Sequence, residues 1–287
     1  MDLASQIRPI TLAEAVINYN TLKCINGTLS MQRAGLKALD YFFFYYRLQT
    51  RSKHHDTTFF EVYENDYEKL VQIAERIKRG TDIQSLFAGY ELYYGTVNQF
   101  RPSIAKYIYQ RYEPSTVLDF SAGWGGRCLG AMSMGVPYIG IDSNVDLKTP
   151  YREMIQRYDP MALVKMFFQP AETFDFSSVK YDMIFTSPPY FMLEKYQGMP
   201  EYESRDDFIN SFFVPVVMSA WHYLSVGGHM ILNMPSTMYE CLTGLGEAEV
   251  IEMPIKKRPG CLKTVGEKIY VWKKTVIFVE DGLLSKR

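Results

Sequence analysis

The sequence has little of what builds metal centres or covalent frameworks. Its four cysteines, Cys24, Cys128, Cys241 and Cys261, are scattered through 287 residues, and only four histidines are present. No cysteine pair has C-x-x-C spacing, so neither a zinc site nor a disulfide scaffold is suggested, and no metal is expected. Unpaired cysteines fit a reduced, intracellular compartment. The adjacent His54 and His55 would point apart on a helix or strand and read as a solvated pair. Excess charge is missing too. The 31 basic and 32 acidic residues leave a net charge of -1, which excludes an acidic or basic tail protein but not a local basic patch. No apolar run is long enough to span a bilayer, and residues 1–6 carry no signal-peptide pattern. The expectation is a cytoplasmic protein with no membrane partner. Repeats and low-complexity tracts are absent.

Aromatic residues are plentiful, at 15 %, with 22 Tyr and 18 Phe. Most serve a core, although flat amphipathic rings also stack on bases. Residues 1–95 read as mainly helical by apolar spacing, with helices over 11–20, 32–49 and 60–79, the last closed by Gly80. The run Tyr41-Phe42-Phe43-Phe44-Tyr45-Tyr46 fits a strand equally well. After it, residues 47–55 form a basic, polar stretch that reads as a loop; its cations suit phosphate, but a solvated connection is the commoner use of such a run.

From residue 96 the texture changes to short β-rich runs alternating with helical ones. Strands are expected over 116–120, 138–141, 164–169, 181–186 and 229–234. This alternation predicts a parallel α/β sheet covered by helices on both faces. Two further runs, 249–255 and 268–279, have no helix-length segment between them and should pair as an antiparallel hairpin at one edge.

Three strand ends carry chemistry. The first runs Val117-Leu118-Asp119-Phe120-Ser121-Ala122-Gly123-Trp124-Gly125-Gly126-Arg127, a strand ending at an acid and entering a glycine-rich turn that lets a ligand approach the backbone. It lacks the Lys-Ser/Thr of a P-loop. The second ends at Asp142, about twenty residues on, where a carboxylate suits a ribose diol; helix capping is the competing role. The third leads to Glu172, a candidate border of an adenine ring. The fourth runs into Thr186-Ser187-Pro188-Pro189-Tyr190. Two prolines fix φ and remove backbone donors. A rigid Ser187 hydroxyl and the Pro188 carbonyl can accept two hydrogen bonds from an exocyclic NH2 group, and Tyr190 is placed to stack on a planar base. An incidental stiff turn is the alternative.

These residues resemble the S-adenosylmethionine-dependent amino-methyltransferase family that makes N4-methylcytosine and N6-methyladenine in DNA. Serine before the proline pair is most similar to the cytosine-N4 branch. The loop from Asp119 to Gly125 resembles the family's cofactor motif, departing from it at Ser121, Trp124 and Gly126-Arg127. Upstream, Asn98-Gln99-Phe100-Arg101-Pro102-Ser103 before a helix over 104–111 resembles the segment that closes over the methionine end of the cofactor. The resemblance covers about residues 96–280. It implies a class I methyltransferase, Rossmann-like fold with a seven-stranded, mostly parallel sheet and a helical N-terminal extension.

It further implies S-adenosylmethionine as cofactor, held by Phe100, Pro102, Asp119, Ser121, Gly123, Gly125, Asp142, Glu172 and Thr186. Catalysis would fall to Ser187, Pro188, Pro189 and Tyr190. The implied substrate is DNA, with the target base flipped into the cleft, and the implied setting is restriction-modification, with a companion nuclease left open. The division would be a methyltransferase domain over 96–287 and a helical region over 1–95. Target recognition would fall to that region, to residues 191–205 or to the basic run 256–263. A homodimer is left open, as are three other readings: an RNA or protein-amide methyltransferase, a non-catalytic nucleic-acid-binding module, and a Rossmann oxidoreductase, which would leave the proline pair without a role.

Overall fold

A computed structural model describes residues 2–30, 32–51, 55–95, 98–190, 200–253 and 268–275, and the backbone of 277–278 and 284–285. Six helices come first: α1 (Leu3–Ile7), α2 (Leu12–Cys24), α3 (Leu36–Leu48), α4 (Phe59–Asn65), α5 (Tyr67–Arg76) and α6 (Ile83–Tyr93). Their ends are written in the sequence. Thr11 with Glu14 and Thr58 with Glu61 form reciprocal capping boxes at the starts of α2 and α4, and Asp82 caps α6, each satisfying amide donors that the helix leaves unpaired.

Two expectations are corrected here. The single helix over 60–79 is two, because Asp66 adopts a non-helical conformation (φ -142°, ψ 40°) between α4 and α5. Gly80 is not the terminator. The chain turns at Lys78 (φ 55°), whose N–H bonds the Glu75 carbonyl while Arg79 N–H reaches back to Ala74.

The alternating half follows as α7 (Pro102–Tyr112), β1 (Val117–Asp119), α8 (Gly126–Met132), β2 (Tyr138–Asp142), α9 (Lys148–Tyr158), β3 (Val164–Phe168) and β4 (Met183–Thr186). After residue 200 come α10 (Arg205–Phe208), running through a π turn over Ile209–Phe213 into α11 (Val214–Tyr223), then β5 (His229–Met234), α12 (Ser236–Tyr239), β6 (Glu249–Glu252) and β7 (Lys268–Lys273). A separate small pair joins β8 (Ile277–Phe278) to β9 (Leu284–Ser285).

The seven strands are ordered β3-β2-β1-β4-β5-β7-β6. β1 to β5 pair in parallel; β7 is antiparallel to both β5 and β6. This strand order, with one antiparallel strand inserted beside the edge, is that of the class I methyltransferase fold. The run over 268–279 is not one strand. At Lys274 the chain turns in, its N–H bonding Gly228 and its buried amine donating to the carbonyls of Trp221, His222 and Leu224 at the end of α11.

Side chains alternate across the sheet at period two. Val117, Met183, Phe185 and Ile231 face one apolar cluster; Leu118, Ile184, Met230 and Leu232 face the other. The second cluster is closed by α10, α11 and α12. The first is closed by α7, α8 and α9, and also by Tyr19, Leu22, Leu39, Phe42 and Phe43 from α2 and α3. The clusters therefore do not divide at residue 95. A satellite cluster joins α1, α4, α5 and α6 to the other flank of α3 through Phe44 and Leu48. The six-aromatic run is helical, and the helix explains its unbroken pattern. At 100° per residue, Phe42 and Phe43 enter the main core, Phe44 enters the satellite, and Tyr41 and Tyr45 stay exposed.

Candidate active site

Strand β1 lies between β2 and β4, so the chain reverses its direction of travel across the sheet at this point. Open α/β sheets bind ligands outside the carboxyl ends of their strands at such a switch point. The glycine loop after β1, Asp142 at the end of β2 and the loop after β4 meet here.

The glycine loop is braced from every side. Ala122 N–H bonds the Ile141 carbonyl (2.9 Å) and Gly123 N–H donates to Asp142 Oδ2 (2.7 Å). The buried Tyr151 hydroxyl, from α9, reaches the carbonyls of Ala122 (3.1 Å) and Gly123 (3.0 Å). Phe43 packs edge-on against the Tyr151 ring at 5.0 Å, so the N-terminal helices buttress the loop. Two glycines are dictated by space. Gly125 holds φ +75°, and a Cβ on Gly126 would stand 2.0 Å from the Phe100 carbonyl oxygen.

Asp119 is fully enclosed and both its oxygens are committed. Oδ1 accepts from Ser121 N–H (3.2 Å) and Arg127 Nη2 (3.3 Å); Oδ2 accepts from Arg127 Nε (2.6 Å) and the Tyr138 hydroxyl (2.5 Å). Burial pulls the Arg127 guanidinium down, but the Asp119 carboxylate, Tyr138 and the hydrogen bonds outweigh it and the net shift is up. Asp119, which the resemblance places among the residues holding the cofactor, has its carboxylate engaged by the protein itself. It ties Arg127, Tyr138 and the loop together. Arg127 also donates to the Ser121 carbonyl and lies 5.2 Å from the centre of the Phe100 ring.

Phe100 lies edge-on to Phe185 of β4 at 5.5 Å. Pro102 is buried at the first turn of α7, where its missing N–H costs nothing. The segment over 98–102 thus sits beside the glycine loop. Asp142 is half-buried and accepts from Gly123 and Asn144 N–H groups. Burial pushes its carboxyl up to about 6, against the lowering effect of those two donors. Glu172 is exposed and accepts the Tyr202 hydroxyl at 3.1 Å.

Thr186 closes β4. Its Oγ1 is buried and has no hydrogen-bond partner among the described residues, an arrangement that costs free energy unless a ligand completes it. Pro188 is buried; Ser187, Pro189 and Tyr190 are half-buried. The Tyr190 hydroxyl lies 3.1 Å from the Asn233 carbonyl of β5 and 3.2 Å from Ser187 Oγ.

The structure brings Phe100, Pro102, Asp119, Ser121, Gly123, Gly125, Asp142 and Thr186 to Tyr190 around one set of strand ends. Glu172 stands after β3 with its contact to Tyr202. Phe43, Arg127, Tyr138, Tyr151 and Asn233 were missed by sequence reading. Arg127 alone left a signal, as a long cation where the similar motif carries a small hydroxyl. The basic run 256–263 and residues 191–199 lie outside the described residues. Arg47, read as part of a basic loop, is instead buried in α3 and paired with Asp40.

No protein-family model and no curated protein matches the sequence. Solved structures match part of it. TrmN from Thermus thermophilus is 19 % identical with a TM-score of 0.43, over 60 % of this chain and 48 % of TrmN, so this chain spans about half of that protein. A precorrin 8w decarboxylase from Methanobacterium thermoautotrophicum is 16 % identical with a TM-score of 0.43, over 61 % of this chain and 92 % of that one. An rRNA methylase from Streptococcus thermophilus is 12 % identical with a TM-score of 0.41, over 62 % and 99 %. The fold class rests on the strand order.

Proposed function

We propose that this protein transfers a methyl group from S-adenosylmethionine to an exocyclic amino nitrogen of a DNA base, with cytosine N4 favoured over adenine N6. The observation that carries the reading is the Thr186-to-Tyr190 loop at the switch point, directly beside the glycine loop of β1. The donor set suits the cofactor. Asp142 offers a carboxylate for ribose hydroxyls, the Gly123–Gly125 turn leaves room for close approach, and the orphaned Thr186 Oγ1 awaits a polar partner. Phe100, held between Arg127 and Phe185, would cover its methionine end.

When bound, the cofactor supplies a methyl group on a positively charged sulfur. The chain's own residues do the positioning. Ser187 Oγ and the Pro188 carbonyl accept the two N–H bonds of the target amine, which fixes the direction of its lone pair. Tyr190 supports the base. Held in line by these contacts, the nitrogen would present its lone pair to the methyl carbon, and one amine proton would leave to solvent after transfer, so no strong base would be required. Positioning of this kind contributes much of the acceleration available to two bound reactants.

Titration calorimetry with S-adenosylmethionine, followed by nucleoside mass spectrometry of DNA and RNA from cells making the protein, tests the reading. Cofactor binding and N4-methylcytosine or N6-methyladenine in DNA are expected. Absence of cofactor binding overturns the enzyme, and methylation confined to RNA overturns the substrate.

A further inference from the structure

Among the described residues the hydroxyl of Tyr190 contacts two oxygens, and one of them cannot donate. The Asn233 carbonyl, 3.1 Å away, is purely an acceptor, so the single phenolic hydrogen goes to it. Ser187 Oγ lies 3.2 Å from the same phenolic oxygen. With the Tyr190 hydrogen already placed, that second contact is completed only by the Ser187 hydrogen. The order of donation is therefore Ser187 to Tyr190 to Asn233. Its end is a fixed point. Asn233 is 2 % exposed, lies in β5 between β4 and β7, and its side-chain amide donates to the Lys268 carbonyl at 3.2 Å.

We propose that the Tyr190 hydroxyl is a polarity lock. It draws off the Ser187 hydrogen and leaves Ser187 Oγ as an acceptor toward the cleft. A serine free to rotate would either accept from an amine or donate to a carbonyl. The locked serine only accepts. It takes an exocyclic N–H, as on cytosine or adenine, and offers nothing to the carbonyl oxygen that uracil and thymine carry at the position of the cytosine amine. Tyr190 is then a positioning residue acting through Ser187, in addition to supporting the base. The idea rests on the proposed methyltransferase reading for its substrate, but the donation order belongs to the protein alone and is measurable without turnover.

Tyr190→Phe keeps the ring and removes the lock. The ring doublet in a tyrosine Raman spectrum reports whether the hydroxyl donates, accepts or does both. Wild type minus Tyr190→Phe isolates the Tyr190 signal. It should show a hydroxyl that both donates and accepts, and it should move to donor-only character in Ser187→Ala, measured against the Ser187→Ala, Tyr190→Phe double variant. A signal unchanged by Ser187→Ala, or one of a pure acceptor, overturns the lock whether or not the protein is an enzyme. In single-turnover methylation of heat-denatured, mixed-sequence DNA, Tyr190→Phe should slow transfer roughly fivefold to tenfold, the scale of one oriented hydrogen bond. Cofactor affinity should stay unchanged. Tyr190→Phe should add nothing to Ser187→Ala, because one hydroxyl acts through the other. Equal, additive losses overturn the proposal, and wild-type rates in Tyr190→Phe do the same. A wild-type protein that methylates neither DNA nor RNA fails the functional reading instead, and the Raman comparison still decides the donation order.

Discussion

Two buried aspartates, Asp119 and Asp40, both hold arginines, and they hold them differently. Asp119 has one arginine to itself, from the next helix, and both side chains are nearly sealed, at 0 % and 4 % exposure. Asp40 is shared. Arg47 pairs with it at 2.6 Å from two turns further along α3, Arg8 pairs with it from beyond α1, and Gln99 Nε2 donates to it at 3.1 Å. The charges respond accordingly. Arg127 is held up by its private carboxylate. Burial pulls Arg47 down, and although Asp40 opposes this, the second cation, Arg8, adds to the fall. The first pair is local and rigidifies one loop. The second is long-range and joins α1, α3 and the Gln99–Phe100 segment. Phe100 lies between them, its ring against Arg127 and its neighbour Gln99 on Asp40. The N-terminal helices thus reach the site through two routes, Asp40 to Gln99 and Phe43 to Tyr151.

The largest effect should come from the private pair. Asp119→Ala strands a buried guanidinium and should cost about 3–5 kcal/mol in urea unfolding; a loss near that of a surface pair would erase the contrast. Asp40→Asn should cost less, about 2 kcal/mol, because the amide keeps an oxygen that accepts from the buried Arg47, and Arg8, 28 % exposed, can rehydrate. Its distinguishing mark is distant: faster amide exchange over 98–102 and severalfold weaker cofactor binding. Exchange confined to α1 and α3 would break the proposed link.

Asp142 gives a third test, through pH. Its carboxyl is raised to about 6, so its contribution to folding is fully present below the ordinary carboxylate range and is lost as pH rises through about 6. Ligand binding runs the other way. Ribose hydroxyls need the ionised form as acceptor, so cofactor affinity should fall about tenfold per pH unit below 6. Calorimetry across pH 4.5 to 8 should show that slope in wild type and a flat profile in Asp142→Asn; a slope in both would remove Asp142 from the site. The smallest effect belongs to the exposed pair Arg111–Glu249. Arg111→Ala should cost under about 1 kcal/mol in the same urea experiment, and a larger loss would show that exposure does not separate the classes of ion pair.

Much of the fold was legible because parallel strands, buried on both faces in all but the half-buried edge strand β3, read as short apolar runs. Five were found, together with the antiparallel hairpin, since β6 and β7 pair as expected. The helix starts near Thr11 and Phe60 were legible too, although the capping boxes that fix them were not read. The missed features have a common cause. The break at Asp66 and the turn at Lys78 are backbone conformations that no strong breaker marks. Lys274 ends β7 as its amine finds three carbonyls at the C-terminal end of α11, from residues some fifty positions away. Among the described residues, no helix is long and apolar enough to cross a membrane.

By itself the sequence determined the order of chemical groups along the chain: a glycine loop after the first strand, an acid after the second and Thr186-Ser187-Pro188-Pro189-Tyr190 after the fourth. Local propensity and period-two patterning place such groups at strand ends without help from distant residues. Only the tertiary structure decided their electrical state. Asp119 read as an acid at a strand end and is taken up by Arg127 and Tyr138, while Asp142 read as an ordinary carboxylate and is raised by burial. Ser187 could donate or accept until the Asn233 carbonyl, from a strand 43 residues away along the chain, came within reach of Tyr190. Charge and hydrogen-bond direction depend on what surrounds a group in space, and a linear chain does not state its neighbours.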